Sequence, residues 1–242
     1  MKLAIISHTT HYKDKDGVIK GWGPTIREIN FLASRFDEII HLAFLHEGDA
    51  PNSCIPYGSP RVKFIPLPPS GGKSIKQKLS VATNAPEVIS TIDSVLKSVD
   101  AIQLRVPTGI ANYLLPWLTA KRNRPLTWVK YAGNWKQENA PAGYRFQRWW
   151  LEKNFLHCKV TINGSWPGQP GHCLTFENPC LDDEERNRGI AVIEKKSYSG
   201  PYTACFIGRI ETEKGVGRIL DALAELRKKN IQTIHFIGEG KE

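Results

Sequence analysis

The sequence predicts an α/β protein: a Rossmann-like parallel sheet with helices on both faces, followed by an incomplete second Rossmann-like unit. Three observations predict it. Short apolar runs rich in strand formers alternate with longer runs whose apolar residues recur every three or four positions. The strand–helix–strand alternation repeats along the chain, which is the pattern of parallel βαβ units and not of hairpins. The clearest such unit, YTACFIGRIETEKGVGRILDALAELRKKNIQTIHFIGEGKE (202–242), is set apart from the rest by a charged, weakly apolar stretch.

Taken in order, Lys2–Ser7 (KLAIIS) is a buried-type strand and His8–Lys20 a polar loop. In KGWGPTIREINFLASRF, Pro24 suits the first turn of a helix, with Ile26, Ile29, Phe31, Leu32 and Phe36 on its buried face. Gly21 and Gly23 bracket Trp22, so strand, glycine-rich loop and helix follow one another. That order suits a phosphate cradle, and equally a tight loop in which glycine permits close backbone approach. Glu38–Phe44 closes this βαβ unit. After the loop Asp49–Pro60 come a strand at Arg61–Pro66, a loop at Pro68–Lys73 and one or two helices over Ser74–Lys97, the second beginning at Pro86.

The strand Ala101–Val106 carries Arg105 towards Pro107-Thr108-Gly109. Ile110–Ala120 is a helix disturbed at Pro116, and Leu126–Tyr131 is a strand ending in Ala132-Gly133-Asn134-Trp135. These strand ends open on the same rim as the first loop, where ligands of such sheets bind, making Arg105, Tyr131 and Asn134 candidate cleft residues. Asn134 suits either a sugar hydroxyl or its own turn. Ala142–His157 is a helix dense in aromatics and cations, suited either to an anionic membrane surface or to packing on the sheet with a solvated basic edge. Lys159–Asn163 and Cys173–Glu177 are the last strands of the first domain, taken as residues 1–180. Residues 181–200 read as a linker, and 201–242 as the start of a second domain.

In that second domain Thr203–Ile207 is a strand followed by Gly208 and Arg209, with Lys214 and Gly215 five residues on. Val216, Ile219, Leu220, Leu223 and Leu226 mark an amphipathic helix ending in Arg227, Lys228, Lys229 and Asn230. Ile231–Ile237 is a strand, and Gly238-Glu239-Gly240 lies at its carboxyl end. Two cations at the mouth of a strand beside a helix start suit a diphosphate; the alternative is two solvated surface charges.

The stretch FIGRIETEKGVGRILDAL followed by HFIGEG resembles the start of the second domain of retaining, GT-B-fold glycosyltransferases of the glycogen-synthase-like family 4. The resemblance implies transfer of a hexose from a nucleotide-diphosphate sugar to a glycan or lipid-linked acceptor, with retention. It implies that Arg209 and Lys214 hold the donor diphosphate, and that Gly208, Gly238, Glu239 and Gly240 lie near the nucleotide. Gly21, Trp22 and Gly23 match the family's first loop, which faces the interdomain cleft, and Asn178-Pro179 matches its entry to the linker. Two departures stand out. No histidine ends the strand Leu126–Tyr131, where family members often have one, and no Glu-x7-Glu element follows. The second departure favours an alternative expectation: a non-catalytic acceptor-binding or interaction module, or a truncated product, with the 242-residue chain inactive alone. No nucleophile or general base is assigned.

The remaining features narrow the field. A net charge of +9 favours anionic partners, but the cations are dispersed and no RNA- or DNA-reading motif is present, so nucleic acid is not expected. No apolar run is long enough to span a membrane and no signal peptide is legible, which points to the cytoplasm, with peripheral contact at the inner membrane face as an option. Five scattered cysteines fit reduced thiols and match no zinc pattern. Asp14-x-Asp16 suits a solvated turn better than a metal site, and no metal or cofactor is expected beyond the nucleotide sugar itself. A Rossmann dehydrogenase is disfavoured because neither strand–helix turn carries GxGxxG.

Overall fold

The structure, a computed structural model, describes residues 1–72, 74–177, 183–197 and 199–240. The chain divides into two compact units, Met1–Cys180 and Leu181–Glu242. The Asn178-Pro179 step lies outside the described residues.

The first unit is built on nine strands: β1 (Lys2–Lys13), β2 (Ile19–Trp22), β3 (Glu38–His46), β4 (Cys54–Pro56), β5 (Val62–Leu67), β6 (Ala101–Val106), β7 (Leu126–Tyr131), β8 (Lys159–Asn163) and β9 (Cys173–Phe176). Its helices are α1 (Gly23–Leu32), α2 (Ile75–Thr83), α3 (Ala85–Leu96), α4 (Ala111–Ala120) and α5 (Ala142–Glu152). The parallel strands run in the order β5-β3-β1-β6-β7-β8-β9. The chain therefore winds outward from β1 through β3 to β5, then returns to the other side of β1 at β6. That reversal is a topological switch point, and the crevice beyond the carboxyl ends of β1 and β6 is where such sheets take ligands.

Strand parity assigns the two faces. Ala4 and Ile6 of β1, Ile102, Leu104 and Val106 of β6, and Val129 and Tyr131 of β7 join one apolar cluster with Val88 and Ile92 of α3, Leu114, Leu115 and Leu118 of α4, and Leu151 of α5. The alternate residues Leu3 and Ile5 meet Ile29 of α1 and Ala33 in a second cluster. Each fully buried leucine or isoleucine contributes about 1.5–3 kcal/mol, so both clusters press the helices onto the sheet. The same alternation brings Gln103 and Arg105 of β6 and Lys130 of β7 to the face that α1 covers.

Several sequence expectations are corrected. His8–Lys20 is not a loop: β1 runs on to Lys13 and returns antiparallel as β2, pairing His11 with Gly21. Thr9 and His11 point inward, so the polar segment HTTHYK is strand by alternation, its buried groups satisfied by hydrogen bonds. Asp14 Oδ1 accepts the Asp16 and Val18 N–H groups, and Lys20 Nζ lies 3.0 Å from Asp14 Oδ2, which closes the hairpin turn. Gly21 and Trp22 belong to β2, and Gly23 opens α1. Phe31 is 56% exposed, on the outer face of α1. Tyr131 is buried in the core with its ring edge-on to Trp135, because its parity turns it away from the face that carries Lys130.

In the second unit, α6 (Asp183–Lys195) lies within the stretch read as a linker, where no helix was expected. Three acids in its first turn and Lys195 in its last complement the helix dipole, so the helix forms with no buried face among its described residues. The strands β10 (Tyr202–Ile207) and β11 (Ile231–Ile237) pair in parallel. Between them the expected single helix is divided at Ala222 into α7 (Val216–Asp221) and α8 (Leu223–Lys228), after a 3-10 turn at Thr212–Lys214. Asn230, read from the sequence as a helix stop signal, follows α8 with φ 63°, in the left-handed conformation.

Candidate functional site

The carboxyl edge of the first unit's sheet holds a pocket of about 410 Å³ at the switch point. It is walled by His8 beyond the apolar part of β1, by Trp22, Thr25 and Glu28 at the start of α1, and by Arg105 and Lys130 on β6 and β7. Gly133 and Asn163 close its far side. Glu28, Arg105 and Lys130 are all more than nine-tenths buried. Glu28 Oε1 lies 3.1 Å from Arg105 Nη2 and 2.7 Å from Lys130 Nζ. Gln103 Oε1 accepts the Arg105 Nε–H at 2.7 Å and fixes the plane of the guanidinium. Lys130 Nζ also sits 4.1 Å from the centre of the Phe176 ring.

Burial lowers the pKa values of Arg105 and Lys130, and Glu28 opposes that shift in both. His8 is held below the ordinary histidine range by the protein crowded around it and then by the charge of Arg105, although its ring surface is open to solvent. The pocket thus presents one carboxylate, two cations and a neutral imidazole.

Behind it runs a buried chain of hydrogen bonds. Ser7 Oγ lies 2.8 Å from His41 Nε2; His41 Nδ1 lies 2.6 Å from the Tyr57 hydroxyl, which lies 2.9 Å from His11 Nε2. His11 Nδ1 lies 3.0 Å from the Thr9 carbonyl oxygen, an acceptor only, so Nδ1 carries the proton. The remaining directions follow. With both rings neutral, Tyr57 donates to His11 Nε2 and His41 Nδ1–H donates to Tyr57, while the Ser7 hydroxyl, which donates to Thr9 Oγ1, sits against His41 Nε2. Burial agrees, holding His11 at about 4 and His41 well below its ordinary range. Gly21 is required here: a Cβ on it would stand 2.4 Å from His11 Nε2.

A second pocket, of about 560 Å³, lies on the other side of His8. His46, Ser70, Thr108, Asn112 and Tyr144 line it with uncharged polar groups, and Lys78 adds one cation. Gln147 of α5 is fully buried and builds this wall. Its Oε1 accepts the Thr108 N–H, and its Nε2 donates to the Thr108 carbonyl and to Asn112 Oδ1. α5 therefore packs through Gln147 and Leu151, while Trp149 is half exposed. Among the described residues no helix is long and apolar enough to cross a membrane.

In the second unit Gly208 N–H donates to the Ile237 carbonyl, and Ile210 N–H to the Glu239 carbonyl. These bonds draw Gly208, Gly238, Glu239 and Gly240 together. A Cβ on Gly238 would stand 1.8 Å from Gly208 O, and one on Gly240 1.7 Å from Ile210 O. Arg209 follows directly, 68% exposed and 3.1 Å from Glu211. Lys214 ends the 3-10 turn, exposed, its N–H donating to the Glu211 carbonyl.

Of the residues proposed from sequence, Trp22 and Arg105 line the pocket, and Gly23 begins the helix beside it. Asn134 makes its own turn, accepting the Lys136 N–H. Glu28, Lys130 and His8 were missed. The available signal was a charge at Arg105 and another at Lys130 inside otherwise buried-type strands, each of which demands a partner.

The sequence matches no protein-family model and no curated protein. Among solved structures, the chain is similar to sucrose-phosphate synthase from Thermosynechococcus elongatus, with a TM-score of 0.59 at 14% identity over 98% of this chain and 62% of that one. The fold is the GT-B fold of glycosyltransferases. A second GT-B neighbour is an alpha-glucosyltransferase in complex with UDP and a 13-mer DNA containing a HMU base, with a TM-score of 0.50 at 11% identity, covering 100% of this chain and 58% of that one. The chain spans about three-fifths of the length of both neighbours.

Proposed function

We propose that the chain is the acceptor-side unit and the beginning of the donor-side unit of a retaining glycosyltransferase of family 4, one that transfers a hexose from a nucleotide-diphosphate sugar. The observation that carries this reading is the closure of β10 and β11 on Gly208, Gly238 and Gly240, with Arg209 immediately after Gly208. Side chains at Gly238 and Gly240 would block the approach of the two strand ends, and their absence leaves backbone accessible to a nucleotide. Arg209 and Lys214 neutralise the charge that grows on the departing diphosphate, the electrostatic stabilisation of a leaving group. The Arg209–Glu211 ion pair is exposed and weak, so a diphosphate displaces Glu211 at little cost.

The acceptor, a glycan or a lipid-linked sugar, lies in the first unit at the carboxyl edge of the sheet. Uncharged polar groups such as Ser70, Asn112 and Tyr144 suit sugar hydroxyls. The GT-B neighbour bound to UDP supports a nucleotide-sugar donor.

Calorimetric titration with UDP, GDP and their sugars tests the reading. Binding by the 242-residue chain that is lost in both Arg209→Ala and Lys214→Ala supports it. Binding that survives both substitutions in folded protein removes the assigned diphosphate site.

A further inference from the structure

Helix α5 is held to the sheet by one side only. Gln147 and Leu151 are its buried residues. Trp149 stands two positions from each, about 200° around the helix, and is 46% exposed. Its ring is not isolated. The ring centroid lies 6.1 Å from that of Phe146, 6.0 Å from Trp150 and 5.4 Å from Phe155, which is itself 38% exposed. Apolar residues scattered singly over a surface need no partner, whereas a contiguous patch marks a docking surface. Here four aromatic rings are contiguous.

The rim of this patch is cationic. Arg145 and Lys153 stand four residues before and after Trp149, in one row along the outward side. Both are exposed, and among the described residues neither has an ion pair. Arg148 donates to the Trp135 and Gln137 carbonyl oxygens, which leave its full charge in place. Arg124 donates to the Leu118 and Leu156 carbonyl oxygens and so ties the turn after α4 to the end of α5, beside Phe155. That turn carries Arg122, exposed and likewise without an ion pair among the described residues. Against these cations α5 has a single acid, Glu152. Tryptophan and phenylalanine rings suit the depth at which lipid headgroups meet acyl chains, and the long stems of arginine and lysine reach back to the phosphates. A protein partner would need an acidic face shaped around the rings. A bilayer containing anionic lipid supplies apolar depth and negative charge together, with no demand on shape.

We propose that the outward side of α5, with the turn after α4, docks on the surface of a bilayer containing anionic lipid. Trp149 and Phe155 enter the boundary between headgroups and acyl chains, and Arg145, Lys153 and Arg122 lie against lipid phosphates. The contact is peripheral, since among the described residues no helix is long and apolar enough to cross a membrane. Tyr144, five residues before Trp149 and so about 7.5 Å from it along the helix axis, lines the 560 Å³ pocket. Docking therefore holds that pocket near the bilayer. It is independent of the glycosyltransferase reading.

The test floats the full chain with vesicles of phosphatidylcholine alone and of phosphatidylcholine mixed with phosphatidylglycerol, at low and at physiological ionic strength. Circular dichroism confirms that each variant is folded, and sedimentation velocity gives its oligomeric state. The chain is expected to bind the anionic vesicles, more weakly as salt rises, and not to bind phosphatidylcholine alone. Trp149→Ser with Phe155→Ser is expected to weaken binding by about tenfold or more. Arg145→Gln and Lys153→Gln are each expected to weaken it about fivefold, the scale of one cation near an anionic surface. Arg35→Gln removes the same charge just beyond the end of α1, which covers the opposite face of the sheet, and is expected to change binding by less than about twofold. If the aromatic double variant does not fold, the comparison of Arg145→Gln with Arg35→Gln decides. Failure of the folded chain to bind anionic vesicles overturns the proposal, as does equal binding with and without phosphatidylglycerol. Equal losses in Arg145→Gln and Arg35→Gln would mean attraction by net charge alone, which overturns the assignment to α5. A dimer that Trp149→Ser converts to monomer would put a second copy of the chain on this face and overturn it likewise.

Discussion

Glu28 Oε1 faces Lys130 Nζ at 2.7 Å and Arg105 Nη2 at 3.1 Å, so a single buried carboxylate oxygen joins α1 to two strands of the sheet. Removing its charge leaves two buried cations facing each other. Glu28→Gln is therefore expected to destabilise the first unit by about 3–5 kcal/mol, the cost of breaking a buried pair by deleting one partner. Urea denaturation measures it. A change below about 1 kcal/mol would mean that water already reaches the cluster.

The hydrogen-bonded chain Ser7–His41–Tyr57–His11 predicts a pH dependence of a definite sign. Both rings are neutral in the folded state, with pKa values below the ordinary histidine value of about 6.5. Their stabilisation is fully present above that value and is lost as pH falls, because the unfolded chain then binds more protons. His11, held at about 4, accounts by itself for a loss of about 3 kcal/mol between roughly pH 6.5 and pH 4. Arg105, close enough to lower the pKa of His41, adds to the penalty of charging that ring, as His46 does for His11. Chemical denaturation at a series of pH values checks this. Stability that stays flat from pH 7 to pH 4.5 would contradict the neutral assignment of both rings.

Tyr57 is the member of that chain whose removal separates its effects. Tyr57→Phe preserves the ring beside His11 and deletes the hydroxyl, leaving His11 Nε2 without a donor and His41 Nδ1–H without an acceptor. Two buried polar groups left unsatisfied cost about 1–3 kcal/mol each. The expected loss at pH 7 is thus about 2–6 kcal/mol, well beyond that of a tyrosine whose hydroxyl makes no hydrogen bond. The same measurement on Tyr12→Phe provides the comparison: Tyr12 is only partly buried, and among the described residues its hydroxyl makes no hydrogen bond.

Much of this arrangement is legible in the sequence, for reasons that differ by element. Ala101–Val106, Leu126–Tyr131 and Lys159–Asn163 are strands with the boundaries expected, because strands buried on both faces read as continuous apolar runs between turn residues. The far half of β1 was not legible, since His8, Thr9, Thr10 and His11 read as polar until one knows that Thr9 bonds to Ser7 and His11 to Tyr57. α6 was missed because its charged first half shows no apolar periodicity and none of its described residues is buried; charges at its ends complement its dipole instead. The pocket was half legible. Arg105 stood out at a strand end, whereas its union with Glu28 and Lys130 depends on strand order and face, which no local pattern encodes.

Arg209 tests the donor site without the ambiguity of folding. Its side chain is 68% exposed and its ion pair with Glu211 is an exposed one, worth little to stability. Arg209→Ala is expected to change stability by less than about 0.5 kcal/mol while weakening UDP by about tenfold or more. Calorimetry and a denaturation curve on one preparation measure both. A large loss of stability with UDP binding unchanged would make Arg209 a structural residue.

Two glycines of the second unit should respond oppositely to the same substitution. Gly238 has φ 153°, and a Cβ there would stand 1.8 Å from the Gly208 carbonyl oxygen, so Gly238→Ala forces β10 and β11 apart at their carboxyl ends. Backbone held in a region suited to glycine alone costs a side-chain-bearing residue about 1–3 kcal/mol even before the collision is counted. Gly217 lies within α7, and a Cβ on it meets nothing within 4 Å. Gly217→Ala should therefore stabilise that turn by about 0.5–1 kcal/mol, through helix propensity and a less flexible unfolded chain. Amide hydrogen exchange resolves the two. Gly238→Ala should speed exchange at the amides of Gly208 and Ile210, whose bonds to Ile237 and Glu239 close the strand ends, whereas Gly217→Ala should slow exchange in α7 and leave those two unchanged. If Gly238→Ala left the protection of Gly208 and Ile210 intact, the close approach of the two strand ends would not be what fixes this turn, and its role in shaping a nucleotide site would lose its physical basis.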